Sequence, residues 1–589
     1  MKLVIAEKPS VGKTIAEFLG CGVKCNGYYE GGDYAVTWAI GHLLELCEPG
    51  DYDPLLKNWS LDSLPIFPKN YKYKIKYDTK SQLYTIANLL DKAKIVINAG
   101  DMDREGCCLV DNIIEHCGFE GKVQRLWIND FTDSFLQKGF SNLKNNDDYQ
   151  GFSSAGRARA FADWMVGMNL TRCVAGLNLF KDRVSVGRVQ SPALKIIVNR
   201  DAEINNFKPV NFYKIKASLS DFNYSFFVPI DNKYLVEGKC FSLSDANSCV
   251  PADSDFLVTS IDEDDIFKSA PLPFCLASLT KFINKHYSLS AKAVLSNVQS
   301  LYEKHKLVTY PRPDCRYLSE GEHSNSRNVI NAIFSNTGLS VDVDPDKKHK
   351  CFNDSKLSSH SALAPTDNIV DLSLLTKNES IVYDVICRSY LSLFAGDLLF
   401  SRTSVSGLIG DKVIELKGDV CKNKGFSDIY PFYSFSDSVL PDLKINSSYS
   451  VSYKVETSKT SPPKPFNDGD LIYALSHIGK YLRDAGSDSE LAILNKVKGI
   501  GTVATYPAIL KSLFDSGFIE YKSNKSIVST AKGRDFVNLL PDDVTNPLVT
   551  AQWEICFDRI EKNLLSVDDF ISMQESWVLK QINQIKSSL

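Results

Sequence analysis

The chain has 589 residues, 44% of them hydrophobic and 23% charged, with a net charge of −4 and a pI near 6.1. That is enough sequence for about four domains with substantial cores, and it excludes a protein drawn to nucleic acid by global positive charge. Residues 3–6 are too short for a signal-peptide core, and the apolar stretch 390–400 carries Asp397, so neither a leader nor a membrane span is expected.

Residues 3–6 read as a strand, and Ser10 opens a helix whose Val11, Ile15, Phe18 and Leu19 share a face. The intervening "EKPSVGKT" looks like the end of a phosphate-binding loop. That loop needs glycine where Glu7 stands, so that the backbone can wrap the phosphates. The nucleotide reading therefore fails. Further on, "AKIVINAGDMDREG" is a buried strand over residues 95–99 that ends in an acidic turn. These strand–helix units predict an α/β domain to about residue 150, with its site along the strand C-termini.

Residues 157–200 are helical and basic, with eight Arg and Lys against Asp163 and Asp182. Arginine dominates, which favours phosphate contacts over a solvated helix face. Arg157, Arg159, Arg172, Arg183 and Arg188, with Trp164 and Gln190, are the candidate binding residues of this segment. Residues 211–260, 401–416 and 447–456 alternate like strands around a helical stretch, 278–306. One β domain interrupted by a helical insertion accounts for this pattern. The tail from residue 460 is helical, and both its 501–530 stretch and the insertion carry winged-helix-like patterns. Fifteen cysteines with no CxxC pair read as reduced, cytosolic thiols, not as disulfides or a structural zinc site.

Asp101, Asp103 and Glu105 alternate after a strand, and in extended backbone such residues point the same way. With Glu7 they would place four hard oxygen donors at one sheet edge, which suits Mg²⁺. Tyr310, with Arg312 two residues on, suits attack of a phenol on a phosphodiester with a cation beside it. His360, in "SSHSALAPT", is on its own more often structural.

Ten stretches in order resemble the type IA DNA topoisomerases, in particular the topoisomerase III branch. They are "AEKPSVGKTIA", "IGHLLEL", "GDMDREG", "RAFADWMVGMNLTR", "SVGRVQSPALKIIVNRD", "PLPFCLASL", "LYEKHKLVTYPRPD", "HSALAPT", "GIGTVAT" and "TAQWE", and they run from residue 6 to about 554. The resemblance implies a torus of α/β, α and β domains. Residues 1–150 would be a Toprim domain, and 151–208 with 458–589 a helical single-strand-binding domain. A β-rich arch would span 209–265 and 367–457, and 266–366 would carry the nucleophile. It further implies that Tyr310 forms a 5′-phosphotyrosine link and that Glu7 is the general acid. Lys8 and Arg312 would hold the scissile phosphate with support from His360, and Asp101, Asp103 and Glu105 would place Mg²⁺. The implied protein is a monomer in the cytoplasm, associated with the nucleoid. It would need no ATP and would act on single-stranded, negatively supercoiled or gapped DNA, with a helicase as a candidate partner.

The chain departs from the family pattern at several positions. Gly100, Met102 and Cys107 stand in the acidic motif where the family usually has threonine, proline and glutamate, and Gly100 and Met102 are expected to loosen the loop. Pro313 and Cys315 follow the nucleophile, and Tyr506 replaces an arginine expected to touch single-stranded DNA. Two other readings share these motifs: a Toprim nuclease or primase, which would not need Tyr310, and a non-catalytic DNA clamp.

Overall fold

The structure is a computed structural model that describes residues 1–128, 133–182, 184–252, 255–357, 360–481, 492, 497, 499–501, 505–523 and 525–587. Its N-terminal layer is a sheet of order β2-β3-β4-β1-β5-β6-β7. Here β1 is Lys2–Ala6, β2 Val23–Cys25, β3 Tyr28–Gly31, β4 Tyr34–Trp38, β5 Ile95–Ala99, β6 Lys122–Arg125 and β7 Lys144–Asn145. The central strands β4, β1, β5 and β6 run parallel. They are apolar runs because helices cover both faces. Helix α1 (Pro9–Phe18) buries Val11 and Ile15, and α2 (Lys80–Leu90) and α3 (Arg104–His116) bury Ile86 and Ile113. Gly12 lies against the Trp38 ring, where a β-carbon would meet Cε3 at 2.6 Å, and Lys13 pairs with Glu17 near the surface. The GKT of the phosphate-loop look-alike thus serves packing and helix solvation.

Helices α4 (Gln150–Gly176) and α5 (Gln190–Asn205) share one core with residues from 466 to 585. The long helix α4 packs against the last two helices, so this domain is built from two distant segments, as expected. The tail does contain a helix, Tyr506–Asp515, followed by a hairpin of Ile519–Tyr521 and Ile527–Ser529.

The arch is a six-stranded sheet of order β9-β8-β13-β10-β11-β12. Its strands are β8 (Asn211–Leu219), β9 (Tyr224–Val228), β10 (Asp255–Lys268), β11 (Leu398–Ile409), β12 (Lys412–Asn423) and β13 (Ser448–Lys459). One sheet interrupted by an insertion is what the alternation predicted. The insertion is larger than expected: α8 (Lys377–Leu391), assigned by sequence to the arch, packs on α7 (Ala291–Glu303) in the core that also holds α6 (Leu276–Tyr287). The sequence boundary was drawn at a turn, but burial of Val382, Ile386 and Tyr390 decides the matter. Among the described residues no helix is long and apolar enough to cross a membrane.

Candidate active site

The site forms where the insertion meets the C-terminal edge of the parallel strands. Glu7 directly follows β1, and Lys8 is the N-cap residue of α1, with extended φ and ψ and Pro9 at the first helical position. The β5 strand ends at Ala99, and the chain then turns through Asp101 into α3. There Asp103 is the N-cap and accepts from Gly106 N at 2.7 Å. Glu7 Oε2 accepts from Asp101 N at 3.0 Å, which ties the two strand ends together.

The acidic alternation does not converge as the sequence suggested. Because α3 begins at Arg104, Glu105 lies on a helical turn and its Oε1 is 3.4 Å from His42 Nε2. The carboxylates that sense one another most are Glu7, Asp101 and Asp103, with Glu105 adding a smaller effect on Asp103. No group of three His, Cys, Asp or Glu among the described residues is already arranged around a metal position. Chemically the Glu7, Asp101 and Asp103 set still fits a hard divalent cation, since neighbouring carboxylates around the buried Asp101 repel one another without one.

From the insertion come Tyr310 and His360, whose rings stack at 3.8 Å between centroids. Lys8 Nζ lies 4.5 Å from the Tyr310 ring centroid and 3.1 Å from Asp101 Oδ2, and His360 Nε2 is 3.4 Å from the same oxygen. Tyr310 follows a single β-bridge, Val308 to Pro365, where sequence suggested a full strand. Tyr302 of α7 meets the Tyr310 ring edge-on at 6.2 Å, and Arg312 donates to Gln299 Oε1 at 3.2 Å.

Electrostatics separate the roles of these groups. Burial, aided by Asp101 and Asp103, pushes Glu7 up to about 8, so it holds a proton at neutral pH. Burial also raises Asp103 and would raise Asp101, but the Lys8 ammonium outweighs it and holds Asp101 below the usual carboxylate range. Burial alone would lower Lys8; Asp101 reverses this and keeps it firmly charged. Burial raises the Tyr310 phenol and lowers His360, which leaves a neutral imidazole against a neutral phenol.

Behind the acidic turn lies Arg125, fully buried at the end of β6. Its guanidinium donates to the carbonyl oxygens of Asn98 and Asp101 and to Asn98 Oδ1. Sequence reading missed it; its one signal was an arginine at a strand end of the same sheet edge. Gly100 does not loosen the loop. Its β-carbon would stand 2.3 Å from the Gly106 carbonyl oxygen, so glycine permits a closer turn than the usual threonine. Cys315 is buried, accepts from Tyr317 N, and is structural. The Pro313 carbonyl accepts from Leu276 N at the start of α6.

The candidate DNA contacts divide sharply. Trp164 is buried, donates to the Cys47 carbonyl and packs on Tyr52 and Tyr71, so no face is free for a base. Arg172 is buried and donates to the Leu56 carbonyl. Tyr506 is wholly buried in the shared helical core and makes no surface contact. Arg157 pairs with Glu115, and Gln190 bonds Ser185. Arg159 and Arg188 converge on Glu554 of α9 (Pro547–Glu561), which Arg104 also approaches. Arg183 lies outside the described residues.

Comparison with known proteins agrees along the whole chain. A Toprim-domain family model matches residues 2–131 and a DNA topoisomerase family model residues 147–572. The chain is 33% identical to a DNA topoisomerase 3 from Bacillus licheniformis, covering 100% of this chain and 82% of that one. It is 34% identical to a DNA topoisomerase 3 from Pasteurella multocida, covering 97% and 93%. Its fold is similar to that of full-length topoisomerase I from Thermotoga maritima, with a TM-score of 0.66 at 20% identity over 100% of this chain.

Proposed function

The chain belongs to the type IA DNA topoisomerase family, as a topoisomerase III with a Toprim domain, and on that premise we propose that Tyr310 is its nucleophile. The observation that carries this is the contact across two domains: Tyr310 and His360 of the insertion lie on Lys8 and Asp101 of the α/β domain. The phenol oxygen gives up its proton to water and attacks the phosphorus, the bond to the 3′-oxygen breaks, and a 5′-phosphotyrosine forms. Glu7, protonated at neutral pH, sits in reach to donate to the departing 3′-oxygen. Lys8, permanently charged and over the Tyr310 ring, offsets charge on the phosphate, with Arg312 beside it. His360 holds the phenol ring by stacking and leaves its oxygen free to attack. Asp101 and Asp103 would hold Mg²⁺, with Glu7 joining them only once it has given up its proton, and the ion would neutralise the cluster and orient DNA phosphates; Toprim domains generally bind a divalent metal.

The ester conserves the energy of the broken bond, so resealing needs no ATP. The substrate is single-stranded DNA, present in negatively supercoiled or gapped circles, which the enzyme relaxes or decatenates. Denaturing trapping of a covalent protein–DNA adduct tests the proposal. Wild-type protein should give an adduct at a 5′-phosphate and Tyr310→Phe none, with single-strand binding nearly unchanged. An adduct in the Phe variant would displace Tyr310, and free 5′-phosphates without adduct would favour a nuclease.

A further inference from the structure

We propose that the outward face of the arch sheet, formed by β8 and β9, is a second binding site for single-stranded DNA, apart from the cleavage site. This rests on the reading of DNA as substrate. One face of these strands, carrying Ile215, Ala217, Leu219 and Phe226, builds the arch core. The alternate residues, Phe212, Lys214 and Lys216 on β8 and Phe227 on β9, point the other way. Phe227 is 54% exposed there. A bridge from Tyr213 to Cys240 brings Lys239 and the exposed Phe241 alongside the same edge.

The chemistry of this face is specific. Lys214 Nζ lies 5.5 Å from the Phe212 ring centroid and 5.0 Å from that of Phe227, and Lys239 Nζ lies 5.6 Å from Phe212. The two rings are therefore at most about 10.5 Å apart with a cation between them, a spacing that neighbouring nucleotides of an extended strand can span. Glu456, the acidic group paired across from Lys214, is engaged by Lys216 at 3.4 Å, and Lys454 adds a further exposed cation. In a chain of net −4, four lysines against one glutamate make this a segregated cationic face. In the free protein the lysine ammonium groups lie over the rings. A bound strand would exchange those cations for bases on the rings and let the ammonium groups meet phosphates, an exchange that stacked, paired duplex bases cannot make.

The test uses the full chain. A photoreactive benzoylphenylalanine at position 227 should crosslink to an oligothymidylate of about forty residues. Excess single strand should suppress the crosslink and blunt duplex should not. Phe227→Ala with Lys214→Ala should weaken binding of that oligonucleotide about three- to tenfold, while cleavage of a strand of about ten residues, long enough for the active site alone, stays at the wild-type level. Lys214→Glu, which keeps both rings, should weaken long-strand binding and steepen no melting transition. Absence of the crosslink with unchanged long-strand affinity, or equal crosslinking to duplex, would overturn the proposal. Failure of wild-type protein to cleave the short strand would instead refute the topoisomerase reading.

Discussion

Threonine at position 100 would restore the family's usual residue and yet damage this protein. Its β-carbon would press on the Gly106 carbonyl, so Gly100→Thr should cost about 1–3 kcal/mol and raise the Mg²⁺ needed for cleavage by shifting Asp101. A chemical melt and a Mg²⁺ titration would check both; wild-type values in the two would mean that the turn relaxes freely. Asp101→Asn with Asp103→Asn should likewise raise the Mg²⁺ requirement, and an unchanged titration would remove these residues from the metal site. Much at this scale was legible from sequence. Glu7, Lys8, Tyr310 and His360 come together as the motifs implied, because each sits at a strand end or a tight turn whose geometry is local. Trp164, Arg172 and Tyr506 misled, because their burial depends on partners from elsewhere in the chain, such as Cys47, Leu56 and the C-terminal helices. A side chain's type says that it can stack or pair, but not which side of the helix the rest of the chain will cover.

Among the elements, α9 acts as a charged clasp. Its Glu554 takes Arg159 and Arg188, while Asp558 and Glu561 take Arg104 at the start of α3. Burial would raise Glu554, but Arg188 and Arg159 hold it below the usual range. Its native pKa therefore lies below the unfolded value. The stability it contributes is complete above the ordinary glutamate range and is lost as pH falls toward the native value. Glu554→Gln leaves three arginines short of charge and should cost about 3–5 kcal/mol at neutral pH. A plot of Tm against pH for the variant should be flatter on its acid side than for wild type; parallel curves would mean that the clasp is not coupled to folding. Trp164→Ala should cost about 3–5 kcal/mol through lost packing. A loss of DNA affinity without loss of stability in that variant would show the ring to be accessible after all. The arch was read correctly from its period-two alternation, whereas α8 was misplaced because a helix's sequence shows its apolar face but not which domain receives it.

For the whole molecule, substrate choice follows from how the active site is reached. On the proposed reading a single strand offers its backbone where Tyr310 meets Lys8, closed duplex does not, and negative supercoiling lowers the cost of unpairing. Relaxation of negatively supercoiled plasmid should therefore proceed, and positively supercoiled plasmid should be untouched unless a single-stranded bulge is built in. Efficient relaxation of intact positive supercoils would contradict the single-strand reading. Binding should weaken steeply with salt as counterions are released.

The proposed nucleophile and the groups opposite it belong to different domains, Tyr310 and His360 to one, Glu7, Lys8 and Asp101 to the other. If those domains part after cleavage, the tyrosine carries the 5′ end away from the acid and the cations, and the catalytic machinery is dismantled by the same motion that makes a gap. Resealing then waits on reassembly. The enzyme needs no separate timer to keep the break open long enough for passage, and a tethered pair of domains pulled apart by a few piconewtons should hold the cut state longer, because force acts directly on the distance between the reacting partners.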